Sequence, residues 1–128
     1  MGRAIGAVAA GAVVWAALWL GMNAVLPSVL PDAVVPGQPL EDVAVLIFLV
    51  VYSVVLSILA GYTTAAVARA MTAVKVLAGL QLILGVVAEA ASWELLPVWY
   101  HLIFLALIVP ATLFGGSLRI RPETTPAR

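Results

Sequence analysis

The chain has 128 residues, of which 65% are hydrophobic and 9% charged, with a formal net charge of zero and a mean hydropathy of +1.20. A water-soluble domain of this size lacks the interior volume to hide so much apolar surface, so the chain is predicted to sit in a lipid bilayer. The balanced charge excludes a basic patch for nucleic acid, and the lack of cysteine excludes disulfides, thiolate metal sites and cysteine nucleophiles.

The expected fold is an all-α, polytopic four-helix up-down bundle with both termini on the same side. Residues 1–118 form the transmembrane domain, with spans over 4–26, 43–68, 76–93 and 98–118. Each is near the roughly 20 residues that cross a hydrocarbon core. Residues 119–128, "RIRPETTPAR", form a short polar tail expected to be disordered.

The first segment, "MGRAIGAVAAGAVVWAALWLGMNAVL", has an apolar run of about 22 residues, longer than a secretory h-region and without a small-x-small cleavage site before Pro27. It reads as a retained span. Gly6, Ala10, Ala17 and Gly21 give it a small-residue stripe for helix packing. Trp15 and Trp19, four residues apart, form an aromatic ridge expected to face lipid or a partner. Pro27, Pro31, Pro36 and Pro39 then predict an extended, stiff connector on the outer surface, with Val29, Leu30, Val34 and Val35 placed to dip into the headgroups.

The second span carries Ser53, Ser57, Gly61, Thr64 and Ala68 at helical spacing, and the third carries Ala78, Gln81, Gly85, Glu89 and Ser92. In the fourth the small residues are Ala111 and Gly115, with Thr112 and Gly116 one step round. These stripes are the expected bundle interior, because helices in lipid associate through close packing and occasional polar contacts. Large aliphatic side chains and Phe are assigned to lipid. Pro110 lacks a donor and frees the carbonyl of Ala106, which predicts a kink and a candidate hinge. Trp93, Trp99 and Tyr100 read as an interfacial belt. The short links "RAMTAVK" and "ELLP" make spans two, three and four consecutive antiparallel neighbours.

Charge sets the orientation. Arg3, Arg69, Lys75, Arg119, Arg121 and Arg128 fall at one end of the spans, and Asp32, Glu41, Asp42, Glu89 and Glu94 toward the other. The positive-inside rule then places both termini in the cytoplasm. The alanine-, valine- and leucine-rich composition points to a bacterium, and so to the bacterial inner membrane.

Glu89 and His101, the only histidine, flank the turn near Leu95 and Leu96, so they are expected at similar depth on adjacent helices about one turn below the outer boundary. A lone carboxylate there is costly, and an imidazole partner would offset that cost. Either the two, with Gln81, form a working site, or they snorkel outward or pin two helices; the structural role is preferred. One histidine and one carboxylate do not fill a metal shell. No phosphate loop, nucleophile elbow or HExxH motif is present, so the chain is read as a non-enzyme.

Two resemblances bear on function. "VVAEAASW" is similar to the glutamate-bearing helix of the small multidrug resistance transporters, although that family places its glutamate in the first helix and Glu89 stands in the third. "LAGYTTAAVARA" and "PVWYHLIFLALIVPATLFGGSLR" resemble small bacterial four-helix membrane proteins of uncharacterised function, in which a Gly-aromatic element ends the second helix and Pro-x-Trp-Tyr opens the fourth. Here those elements are Gly61, Tyr62 and Arg69, and Pro97, Trp99 and Tyr100. This second resemblance implies architecture rather than an activity.

The expected function is a non-catalytic integral membrane protein, a structural or accessory subunit packing against itself or a larger membrane complex. The expected partners are the lipid bilayer and either further copies of the chain or other membrane subunits, with no nucleic acid. No cofactor is assigned, and bound lipid or pigment is left open. The alternatives are a small proton-coupled transporter using Glu89 and a pigment- or haem-contacting subunit using His101. A hydrated path from Glu89 through Gln81 and Ser57 would favour the transporter, and a dry bundle the accessory role.

Overall fold

A computed structural model describes residues 2–120. Helix α1 spans Gly2–Val29, α2 Val43–Ala68, α3 Met71–Ala91 and α4 Val98–Arg119, with a single 3₁₀ turn at Trp93–Leu95 between the last two. All four helices are long and apolar enough to cross a membrane, and no strand occurs among the described residues. The chain is thus an all-helical four-helix bundle. One end carries the α1–α2 loop and the α3–α4 turn (the loop end); the other carries both chain ends and the α2–α3 link (the basic end). From residue 121 onward the polar tail, with Arg121 and Arg128, lies outside the described residues.

Helix ends follow local chemistry more than hydropathy. Asp42 starts α2, its carboxylate accepting the Val45 N–H at 3.2 Å and so satisfying one of the free donors of the first turn. Arg69 ends α2 in the left-handed conformation (φ 56°, ψ 31°), its N–H donating to the Ala65 carbonyl. Only Arg69 and Ala70 separate α2 from α3. Helix α3 therefore begins five residues before the apolar span expected from residue 76, because hydropathy marks where lipid begins and not where hydrogen bonding does.

The region from Pro27 to Asp42 departs from the extended connector. Pro27 lies inside α1, where its missing donor costs only one bond near the helix end, and the Leu30 N–H resumes the pattern on the Leu26 carbonyl at 2.9 Å. Beyond it the chain folds into turns, with Val34 N–H on Leu30 O and Gln38 N–H on Val35 O, and Gly37 at φ +78°. Leu40 is buried, and its N–H donates to the Leu95 carbonyl at 2.8 Å. The loop is tied down on the α3–α4 turn.

Helix α2 is central, packing most extensively on α4 and then on α1. A Cβ on Gly61 would collide with the Thr112 carbonyl, and one on Gly115 with the Ile58 carbonyl. Glycine at these two sites lets the backbones of α2 and α4 meet. Ser57 and Thr64 are fully buried on the same helix, and Thr64 Oγ1 donates to the Ala7 carbonyl of α1 at 3.1 Å.

Three assignments are corrected. Gly6 and Gly21 have nothing within 4 Å of a built Cβ; α1 instead buries Ala7, Gly11, Trp15 and Leu26, with Gly11 against Thr64 and Ala60. The Trp15–Trp19 ridge faces inward: Trp15 is buried, and Trp19 stacks between Tyr52 at 6.1 Å and Phe104 at 5.5 Å. Tyr100 is 1% exposed and belongs to the core, while Trp93 and Trp99 remain at the surface. The common cause is volume. Leu46, Leu56, Leu77, Phe104 and Ile108 are also buried, since large side chains fill the space that small residues cannot. Helix α4 runs uninterrupted through exposed Pro110.

Candidate functional site

Glu89, Gly85 and Gln81 succeed one another at four-residue steps along α3 and are all buried, facing α4. A Cβ on Gly85 would lie 2.9 Å from Ile108 and 3.3 Å from Leu105, so this glycine sets how closely α3 and α4 approach. The turn through Trp93–Leu95 and Pro97 then brings the first turn of α4 beside Glu89.

There His101 Nδ1 and Glu89 Oε2 form a hydrogen-bonded pair. His101 is wholly buried and Glu89 is 5% exposed, so neither reaches outward. On the other side of the ring, His101 Nε2 lies 3.1 Å from the Trp93 carbonyl, and the Trp93 indole stacks on the imidazole at 4.4 Å and 8°. A carbonyl only accepts, so Nε2 carries hydrogen. The Glu89–His101 bond then contains a single proton, and the pair is neutral overall whether that proton sits on nitrogen or oxygen. Both imidazole nitrogens are engaged.

Glu89 also borders a cavity of about 300 Å³ at the loop end. Trp19, Asn23, Ser92 and Tyr100 line it together with Leu40 of the docked loop. Asn23 donates its side-chain N–H to the Trp19 carbonyl at 2.9 Å.

Gln81 occupies a separate polar layer deeper in the bundle. Thr112 Oγ1 donates to Gln81 Oε1, while Gln81 Nε2 and Ser57 Oγ are buried without a partner among the described atoms. Gln81 and Ser57 are fully buried and do not line that cavity. The structure thus unites Glu89 with His101 and leaves Gln81 with Thr112. Phe104, Leu105 and Ile108 pack around Gly85 between the two layers.

Trp93 as the second partner of His101, Thr112 as the partner of Gln81, and the cavity wall formed by Trp19 and Asn23 escaped the sequence reading. Asn23 carried a usable signal: it is the one side-chain amide in the first span and sits close to its loop end. Among the described residues no three His, Asp or Glu side chains gather into a metal-binding group. No protein-family model, curated protein or solved structure matches the chain.

Proposed function

We propose that this chain is a non-catalytic integral membrane protein that acts by helix packing, either with further copies of itself or as an accessory subunit of a larger membrane assembly. One observation carries the reading. The buried ionisable pair is mutually satisfied and packed beneath Trp93, with apolar side chains separating it from Gln81, so the pair has the character of a pin between α3 and α4. The engaged nitrogens of His101 give no support to axial ligation of a pigment or haem.

The setting proposed is the bacterial inner membrane with both termini cytoplasmic. Arg3, Arg69, Lys75 and Arg119 gather at the basic end, and Asp32, Glu41, Asp42 and Glu94 at the loop end, the asymmetry expected of that orientation. Purification from the source membrane in native nanodiscs, followed by native mass spectrometry and an absorption spectrum, tests the role. Co-purifying subunits or a stable homo-oligomer supports it; a monomer sinks it.

The second reading, proton-coupled transport through Glu89, draws on the cavity that Glu89 borders. Glu89→Gln in proteoliposomes with an internal pH dye decides it. Loss of a substrate-driven proton flux in that variant would replace the packing role with transport.

A further inference from the structure

At the basic end, on the opposite side of the bundle's length from Glu89, α1 and α3 do not close on each other. Between them lies a groove of about 470 Å³, open along its side. Ala4, Ala9, Ala68, Ala70 and Ala73 account for the space, since alanines stand where larger side chains would meet; Ile5, Val8, Val76 and Leu80 supply the rest of an apolar wall. Thr72 is the one polar residue that lines it.

Three cations flank this groove along the chain. Arg3 precedes Ala4, Arg69 stands between Ala68 and Ala70, and Lys75 precedes Val76, so each cation is the chain neighbour of a lining residue. All three are exposed. Arg3 donates its Nε–H to the Val67 carbonyl at 2.7 Å, which holds it across α1 and α2 and leaves its other guanidinium donors available. Arg69 adopts φ +56°, a conformation in which glycine is the least strained residue. Among the described residues none of the three forms an ion pair with a carboxylate. The described carboxylates stand at the other end of the bundle or beside His101.

We propose that this groove binds an anionic phospholipid of the basic-end leaflet, one acyl chain lying between α1 and α3 and the phosphate held by Arg69 and Lys75 with Arg3 alongside. The charge complementarity selects the occupant. Uncompensated cations at the level where a span meets the headgroups attract a net negative lipid, and an apolar trough running inward from them accepts its tail. A zwitterionic lipid offers the same tail without the net charge. A partner helix would bury the cations and need carboxylates of its own.

Native mass spectrometry of the purified full chain with added phosphatidylglycerol or phosphatidylcholine, under stepwise collisional release, tests this. The wild type should retain phosphatidylglycerol about thirtyfold more strongly than phosphatidylcholine, the contribution of two basic side chains near the headgroups. Arg69→Gly with Lys75→Gln should remove that preference, and glycine at the left-handed position preserves the α2–α3 link. Ala9→Phe, which fills the trough from an exposed helix position, should lower retention of both lipids while circular dichroism stays unchanged. Equal retention of the two lipids by the wild type overturns the proposal. So does an undiminished preference in the double variant, or a second copy of the chain occupying the groove in place of lipid.

Discussion

His101 gives its Nε2–H to the Trp93 carbonyl across 3.1 Å, and that bond decides the hydrogen bond on the far side of the ring. With Nε2 protonated, one proton is shared between Nδ1 and Glu89, and removing the acid leaves a neutral imidazole whose Nδ1 is an acceptor. Glutamine at residue 89 can supply the needed donor from its amide; leucine cannot. Glu89→Gln is therefore expected to keep the midpoint of detergent-induced unfolding within about 1 kcal/mol of wild type, whereas Glu89→Leu should lose about 1–3 kcal/mol through the orphaned Nδ1. Far-UV circular dichroism against mole fraction of sodium dodecyl sulfate measures both. Equal damage from the two substitutions would show that charge, and not hydrogen-bond completion, holds this pair together.

A second contrast lies in the glycines. Gly61 and Gly115 face carbonyl oxygens of the opposing helix, and Gly6 and Gly21 face open space. Backbone cannot swing aside as a side chain can, so Gly61→Ala and Gly115→Ala must push α2 and α4 apart, at about 1–3 kcal/mol each. Gly6→Ala and Gly21→Ala should be neutral or stabilise by up to about 1 kcal/mol through helix propensity. Thermal unfolding of the four variants in one mild detergent is sufficient. Similar losses at all four positions would mean that α1 meets a partner through Gly6 and Gly21.

This contrast also marks what the sequence could reveal. Long apolar runs separated by prolines and charges placed four helices, and the short α3–α4 link put Glu89 and His101 at one depth. Those features depend on local pattern and chain length alone. Which way a helix faces is different, because α1 is apolar all round and hydropathy then carries no direction. Facing is set by volume, and volume has meaning only against a partner: Gly11 is needed because Thr64 lies opposite, and Trp19 turns inward because Tyr52 and Phe104 leave it a place to stack. The loop failed for a related reason. Its prolines argued for an extended segment, but burial of Leu40 and its bond to Leu95 are tertiary events that no spacing announces.

The deeper polar layer yields a prediction of opposite signs. Thr112 donates to Gln81, and Ser57 Oγ has no partner among the described atoms. Thr112→Val deletes the one side-chain bond Gln81 makes among the described residues while nearly keeping the volume, so a loss of about 1–3 kcal/mol is expected. Ser57→Ala removes a buried hydroxyl that returns no bond, and should be neutral or stabilising by about 1 kcal/mol. Chemical or detergent unfolding reads both. A marked loss from Ser57→Ala would reveal a partner for Ser57 inside the bundle, and with it a polar route that the packing role does not require.

Orientation is open to a direct test because the chain has no cysteine of its own. Gln38 is exposed in the α1–α2 loop and Ala70 is exposed in the α2–α3 link, at opposite ends of the bundle, and neither carries charge that would bias insertion. With both termini cytoplasmic, a membrane-impermeant maleimide should label Gln38→Cys in intact spheroplasts and Ala70→Cys only after permeabilisation. The reverse pattern would invert the bundle, and labelling of both in intact cells would mean insertion in two orientations, against the charge asymmetry of Arg3, Arg69, Lys75 and Arg119. The result also fixes the chemistry of the groove between α1 and α3. A cytoplasmic Ala70 puts Arg69 and Lys75 at the leaflet whose surface is the more negative, which is where an anionic headgroup is available to them.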